Sequence, residues 1–160
     1  MQFSTAILAG LTSAFAFASP IPGDGAAAPA PADVVEPVQA NEQLWTIERM
    51  LRVCDGADTA CNWSFVVNKN VGWVAPTPCE FTVRSVNGQK ASHSPSEGWE
   101  CGPFRVSTGW NGQFGELNGF TTLSLVDLGW KLAAFPAYTD QQLDAGVVVT
   151  PDLSFPPHPW

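Results

Sequence analysis

The sequence predicts an all-β fold: a single antiparallel β-barrel or sandwich of about seven short strands, with two disulfides and little helix. Three observations carry that prediction. Apolar and polar residues alternate in short runs such as Trp63-Ser64-Phe65 and Leu123-Ser124-Leu125, the period of a half-buried strand. Gly, Pro and Asn punctuate the runs, with Asn87-Gly88 the strongest short turn signal. One short stretch near Thr139 carries a helix-start signature, and almost no other helix is expected.

The chain divides into four parts. Residues 1–18 read as a signal peptide, with an apolar run from Ala6 to Phe17 and a small-x-small site at Ala16-Phe17-Ala18. The run is shorter than the ~20 residues a membrane span needs, and its n-region has no Lys or Arg. Residues 19–43 are a Pro/Ala-rich leader with no periodicity, read as disordered. Residues 44–150 form the β-barrel domain, and residues 151–160 a Pro-rich tail.

Within the domain, Trp45 and Ile47 alternate with Thr46 and Glu48, a strand pattern. Ile47, Met50 and Leu51 also fit a helical period, and the Trp, Thr and Ile content decides for strand. Trp63, Phe65 and Val67 mark the next strand, followed by turn chemistry at Asn68-Lys69-Asn70-Val71-Gly72. Cys79, Phe81, Val83 and Ser85 share one face of the strand after Pro76-Thr77-Pro78. Residues 89–98 read as a polar loop. In the stretch Trp99–Trp110, Phe104 and Val106 face inward, Arg105 and Ser107 outward, and Cys101 sits at the start of the strand. The glycine-rich 111–119 segment reads as a loop with Phe114 and Leu117 tucked in. Thr121, Leu123 and Leu125 share a face of the following strand, which turns at Asp127-Leu128-Gly129 and returns from Trp130 to Phe135. Thr139 and Gln142 have capping-box spacing for one helical turn. Val147-Val148-Val149 is a last short strand.

Four cysteines, Cys54, Cys61, Cys79 and Cys101, all follow the signal. An even count on a secretory route points to disulfides, and the absence of a C-x-x-C pair argues against zinc. Of the three pairings that four cysteines allow, Cys54–Cys61 is expected as a loop staple and Cys79–Cys101 as a strand-to-strand staple. The net charge of −8 argues against nucleic acid or an anionic membrane as partner, because both need basic patches.

The order of motifs invites a comparison. Trp45-Thr46-Ile47 precedes Phe65-Val66-Val67, then Cys79-Glu80-Phe81-Thr82-Val83, a polar loop and Trp99-Glu100-Cys101-Gly102. Over roughly residues 44–135 this resembles the Alternaria major-allergen-type family of small secreted fungal proteins, which includes hypersensitive-response-inducing proteins. The resemblance implies a compact β-barrel, an extracellular or cell-wall location and a non-enzymatic role as effector, elicitor or allergen. It also implies a strand-linking disulfide at Cys79 and Cys101. The close Cys54/Cys61 pair and the Pro-rich ends depart from the family pattern, and no spare cysteine is left for a covalent dimer.

No catalytic constellation stands out, and no metal or other cofactor is expected. His93 lies in a Ser/Pro loop and His158 in the tail, both read as solvated, and there is no Gly-x-Ser-x-Gly elbow. Asp127, Asp140, Asp144 and Asp152 are the candidates for a carboxylate pair, with Asp140 and Asp144 on one face of the helical turn. No calcium-loop spacing joins them. Trp73, Trp99, Trp110 and Trp130 fall at turns or strand ends, either as lids on the core or as a binding surface. Asn62-Trp63-Ser64 is an N-glycosylation sequon. The expected activity is binding at the cell surface or host interface, to a protein, glycan or small apolar molecule. A carbohydrate-binding module using exposed Trp is the alternative, and a small acidic glycoside hydrolase a further one.

Overall fold

A computed structural model describes residues 43–160. The signal peptide and all but the last residue of the leader lie outside the described residues.

The chain builds two antiparallel sheets, and they do not close into a barrel. The strands are β1 (Trp45–Cys54), β2 (Ala60–Asn68), β3 (Thr77–Arg84), β4 (Ser96–Cys101), β5 (Phe104–Asn111), β6 (Phe120–Asp127), β7 (Leu132–Ala134), β8 (Ala137–Thr139), β9 (Leu153–Phe155) and β10 (His158–Pro159). The first sheet runs β3-β2-β1-β9 and the second β10-β7-β6-β5-β4, with β8 also on β6. One helical turn, α1 (Asp140–Leu143), follows β8. Its Thr139 cap and Gln142 form the expected capping box.

Alternation places the core. Trp63, Phe65 and Val67 of β2, Cys79, Phe81 and Val83 of β3, Phe104 and Val106 of β5, and Leu123 and Leu125 of β6 are all buried between the sheets. Each large apolar side chain so buried contributes roughly 1.5–3 kcal/mol. Aromatic contacts tie the layers together: Trp45 meets Phe104 edge-on at 5.4 Å, and Trp63, Phe81 and Trp99 stack in a ladder at 6.0 and 5.5 Å.

The mixed periodicity of β1 has a single cause. Its pairing with β2 shifts register between Glu48 and Leu51, and Arg49 adopts a left-handed φ of 54°. This bulge inserts one residue, so Ile47 and Met50 both face the core although they are three apart. Beyond the bulge the inward parity changes, and Arg52 points inside. The backbone N–H of Arg49 donates to Asp152 Oδ1 at 2.9 Å, and Met50 C=O accepts from Val149 N–H at 2.8 Å.

Several expectations need correction. The stretch Trp99–Trp110 is a hairpin, not one strand: Cys101 ends β4 and pairs with Phe104, which starts β5. Gly102 opens the two-residue turn with φ 55°, and a Cβ there would lie 2.9 Å from Thr77 Cγ2. The 89–98 segment is not all loop, since it holds a 3-10 turn at Ala91–His93 and the start of β4. Val147–Val149 forms no strand, and Phe114 and Leu117 are exposed. The Pro-rich tail supplies β9 to one sheet and β10 to the other. Prolines suit these places because both are sheet edges, where a missing N–H costs little.

Candidate functional site

Each end of the sandwich is closed by a buried cation and a carboxylate. At the first end, Lys69 follows β2 and Asp127 ends β6, and the two form a buried ion pair. The Lys69 ammonium also lies 4.0 Å from the Trp130 ring centre, 5.1 Å from Phe104 and 5.9 Å from Trp45. Asp127 Oδ1 accepts the backbone N–H groups of Gly129 and Trp130 at 2.8 and 2.9 Å. The pair therefore holds the β6–β7 turn against the β2–β3 connection.

Those two connections present aromatic surface. Trp73 is 86% exposed in the β2–β3 connection, and Trp130 is 43% exposed over Lys69. Trp160 is 64% exposed. It follows Pro159, whose partner is Leu132, so it lies beside the same β6–β7 turn. Leu128 of that turn is exposed as well.

At the second end, Arg52 is buried between acids. Its guanidinium pairs with Asp144, lies 3.7 Å from Asp140 Oδ1, donates to Ser92 C=O at 3.2 Å and stacks 5.5 Å from the Trp63 ring. Asp140 Oδ2 accepts the Trp110 indole N–H at 2.8 Å. His93 stacks on Trp110 at 3.9 Å, with its Nε2 4.0 Å from Asp140 Oδ2. Gly119 makes this close packing possible: a Cβ there would overlap Asp140 Oδ2 and lie 2.8 Å from Trp110 Nε1. His93 is thus a packed residue, not the solvated one that its Ser/Pro context implies, whereas His158 on β10 is exposed. A shallow pocket of about 280 Å³ opens beside Arg52, lined also by Asp58, Lys90, Ser92, His93 and Asp144.

The candidate tryptophans therefore separate. Trp73 and Trp130 both lie at the Lys69 end, in the β2–β3 connection and the β6–β7 turn, and Trp160, expected in a tail, follows β10 at the same end. Trp110 is locked at the opposite end. Trp99 stacks on Phe81 at the edge where β3 meets β4 and covers the core there.

The carboxylates separate too. Asp127 ends β6, while Asp140 follows Thr139, which pairs with Phe120 at the other end of β6. A strand of that length separates them by roughly 23 Å, too far for one glycosidic bond. Asp140 and Asp144 do share a face, but Arg52 occupies it. Asp152 is engaged by Arg49.

Cys54 and Cys61 face each other across β1 and β2, with Cα atoms 3.9 Å apart, and are joined in a disulfide. They and Asp58 form a cluster of metal-ligand type, but the sulfurs are bonded to each other and Asp58 takes the Ser92 N–H at 2.9 Å and its hydroxyl. Cys79 and Cys101 are unbridged buried thiols, where a second bridge was expected. Hydrogen bonding to Cys101, with burial, pushes the Cys79 thiol far above its ordinary range, and hydrogen bonding from Cys79 lowers that of Cys101. Asn62 lies on the exposed face of β2, with Oδ1 accepting from Thr82 Oγ1 at 2.7 Å.

Comparison with known proteins places the chain. A family model described as Effector TSP1 matches residues 46–160. The chain belongs to the Effector TSP1 family. A relative named Effector TSP1, from Hypocrea virens (strain Gv29-8 / FGSC 10586), is 41% identical over 132 residues, covering 82% of this chain and 85% of the relative. The Effector TSP1 match runs through both capped ends and through β9 and β10, so the C-terminal strands lie within the family unit. The kinship is with a small effector family, as the cysteine and tryptophan order implies; the matching family is Effector TSP1 and not specifically the Alternaria major-allergen type. Among the described residues no helix is long and apolar enough to cross a membrane.

Proposed function

We propose that this chain is a secreted, non-enzymatic effector that engages a host-side protein through the aromatic end built by Trp73, Trp130 and Trp160. The observation that carries the reading is Trp73, 86% exposed in the β2–β3 connection at the end where Trp130 is held over the Lys69–Asp127 pair with its ring 43% exposed. Large exposed aromatic side chains on a rigid frame are the residues that dominate binding energy at protein interfaces. The family name supports the effector role. The Cys54–Cys61 disulfide supports passage through an oxidising compartment, as the leader sequence implies.

The reaction chemistry considered from the sequence gains no support: Arg52 neutralises the Asp140/Asp144 face, and Asp127 is held by Lys69. Sugar binding is the second reading, since exposed rings at one end of the sandwich also suit a glycan. Titration with chitin or glucan oligomers, followed by tryptophan fluorescence, separates the two; no change at millimolar sugar removes the glycan reading. The resemblance to the Alternaria major-allergen type supports the same host-directed role. Glycosylation of Asn62 is proposed on its outward side chain, and a mass shift on deglycosylation tests it.

Infiltration of purified protein into leaves tests the effector reading. A dose-dependent local response is expected, and its complete absence over the soluble range contradicts an elicitor role.

A further inference from the structure

We propose that Asn87 is a self-modifying site: the neighbouring Gly88 backbone converts its side-chain amide to an acid, while the fold protects the same dipeptide elsewhere. Asn-Gly occurs three times, at Asn87-Gly88, Asn111-Gly112 and Asn118-Gly119. Glycine after asparagine favours this chemistry, because no Cβ hinders the approach of the glycine nitrogen to the amide carbon. The sequence alone makes the three pairs equivalent, and the structure separates them. Asn87 and Gly88 are both exposed, in a turn where they take left-handed φ values of 52° and 80°. The turn closes through the Gln89 N–H, which donates to Val86 C=O at 2.9 Å. It is anchored by the Val86 N–H on Ser94 Oγ at 3.1 Å and by the Ser94 hydroxyl on Lys90 C=O at 2.9 Å. None of these bonds uses the Asn87 amide or the Gly88 N–H, and a Cβ at Gly88 would meet open space.

One ring guards the other two pairs. Asn111 ends β5, and its Oδ1 accepts the Gln113 N–H at 2.9 Å. A Cβ on Gly112 would overlap Trp110 Cη2, so the indole lies against that glycine. Asn118 donates from Nδ2 to Phe114 C=O at 3.2 Å. Gly119 is buried, its C=O accepts the Asp140 N–H at 2.9 Å, and a Cβ there would lie 2.8 Å from Trp110 Nε1. Ring closure swings the glycine nitrogen onto the asparagine Cγ. At 111 and 118 that motion breaks a side-chain hydrogen bond and drives the backbone into Trp110, which His93 and Asp140 hold in place. At 87 it meets only solvent.

The step balances with water alone. A base in solution takes the Gly88 amide proton, and the nitrogen bonds to Asn87 Cγ. The Cγ–Nδ2 bond breaks as the side-chain nitrogen takes up a proton and leaves as ammonia. Water then opens the resulting succinimide at one of its two carbonyls, leaving aspartate or isoaspartate at 87. Nothing is oxidised or reduced. The product adds one negative charge to a chain of net charge −8, and isoaspartate adds one carbon to the main chain. Both changes stay within the turn, because Arg84 remains paired with Ala60 and the Ala91 N–H remains on Asp58 C=O at 2.7 Å.

The test is incubation of the purified chain in neutral buffer, with timed peptide mapping of all three pairs. Asn87 is expected to convert at least about fivefold faster than Asn111 or Asn118, with aspartate and isoaspartate both formed at 87. In denaturant the three rates are expected to converge, since the guarding contacts are gone. Equal rates in the folded chain overturn the proposal, as does first conversion at 111 or 118. So does a folded chain that stays intact at 87 while the denatured chain converts. Trp110→Ala is expected to speed conversion at 111 and 118 and to leave 87 unchanged. Unchanged rates at 111 and 118 in a folded Trp110→Ala chain overturn the guarding role. The comparison of folded and denatured wild-type chain stands even if that variant fails to fold.

Discussion

The two ends of the sandwich use the same parts and leave different surfaces. Each buries one cation against an aspartate and an aromatic ring, Lys69 with Asp127 at one end and Arg52 with Asp140 and Asp144 at the other. At the Lys69 end the ammonium is enclosed from within, and Trp130 lies over it with its outer face free. At the Arg52 end the nearby tryptophan, Trp110, is consumed by internal contacts with His93 and Asp140. The difference follows from the side chains. An ammonium needs few directional partners, so one carboxylate and surrounding rings suffice. A guanidinium presents a fork of donors and draws in acids and a carbonyl, which organise their neighbours in turn. One end is therefore a closed polar network and the other a platform.

Removing the cation at each end breaks the comparison most severely. Lys69→Met is expected to cost about 3–5 kcal/mol, because it strands the fully buried Asp127 charge. Arg52→Met is expected to cost less, about 1–3 kcal/mol, since the Asp144 side chain is 65% exposed and Asp140 keeps the Trp110 indole. Chemical denaturation of both variants checks the order, and equal losses would remove the asymmetry. Gly119→Ala sharpens the view of the closed end. Its methyl group must push Asp140 and Trp110 apart, for a loss of about 1–3 kcal/mol in the same assay and a change in tryptophan fluorescence.

Tyr138 gives a pH test. Burial, and secondarily the charge of Asp152, pushes its phenol well above the ordinary value of 10.0. The unfolded chain then loses this proton first, so stability is complete below about pH 10 and falls as pH rises beyond it. Tyr138→Phe is expected to flatten that alkaline loss and to be nearly neutral at pH 7, since the hydroxyl has no hydrogen-bond partner. As the sole tyrosine, its ionisation can be followed directly by absorbance. Smallest of all is the stability effect of Trp73→Ala, expected within about 0.5 kcal/mol because its ring touches mainly solvent.

Much of the strand pattern was legible in the sequence because alternation reports a one-sided sheet directly. The inward faces of β2, β3, β5 and β6 agree with it, as does the Thr139 capping box. The bulge at Arg49 was visible only as an ambiguity of period. The strands β9 and β10 were hidden because prolines suppress the strand signal, although Leu153 and Phe155 keep the alternation. The site was less legible. Lys69 read as a turn residue, and its partner lies far along the chain, so no local pattern joins them. His93 sits among serines and prolines, and only the fold brings Trp110 and Asp140 to it. Exposed tryptophans at turns did carry signal, but their sorting between the two ends is a property of topology.

The central claim is that the Lys69 end, and not the Arg52 end, meets the host. The most direct measurement is the leaf-response dose curve for Trp73→Ala beside Lys90→Ala, an exposed residue at the Arg52 end, both confirmed folded by circular dichroism. The account predicts that Trp73→Ala requires at least about tenfold more protein for the same response, the effect of losing an interface anchor, while Lys90→Ala matches the unmodified chain. A full response from Trp73→Ala, with loss of response in Lys90→Ala, would contradict it.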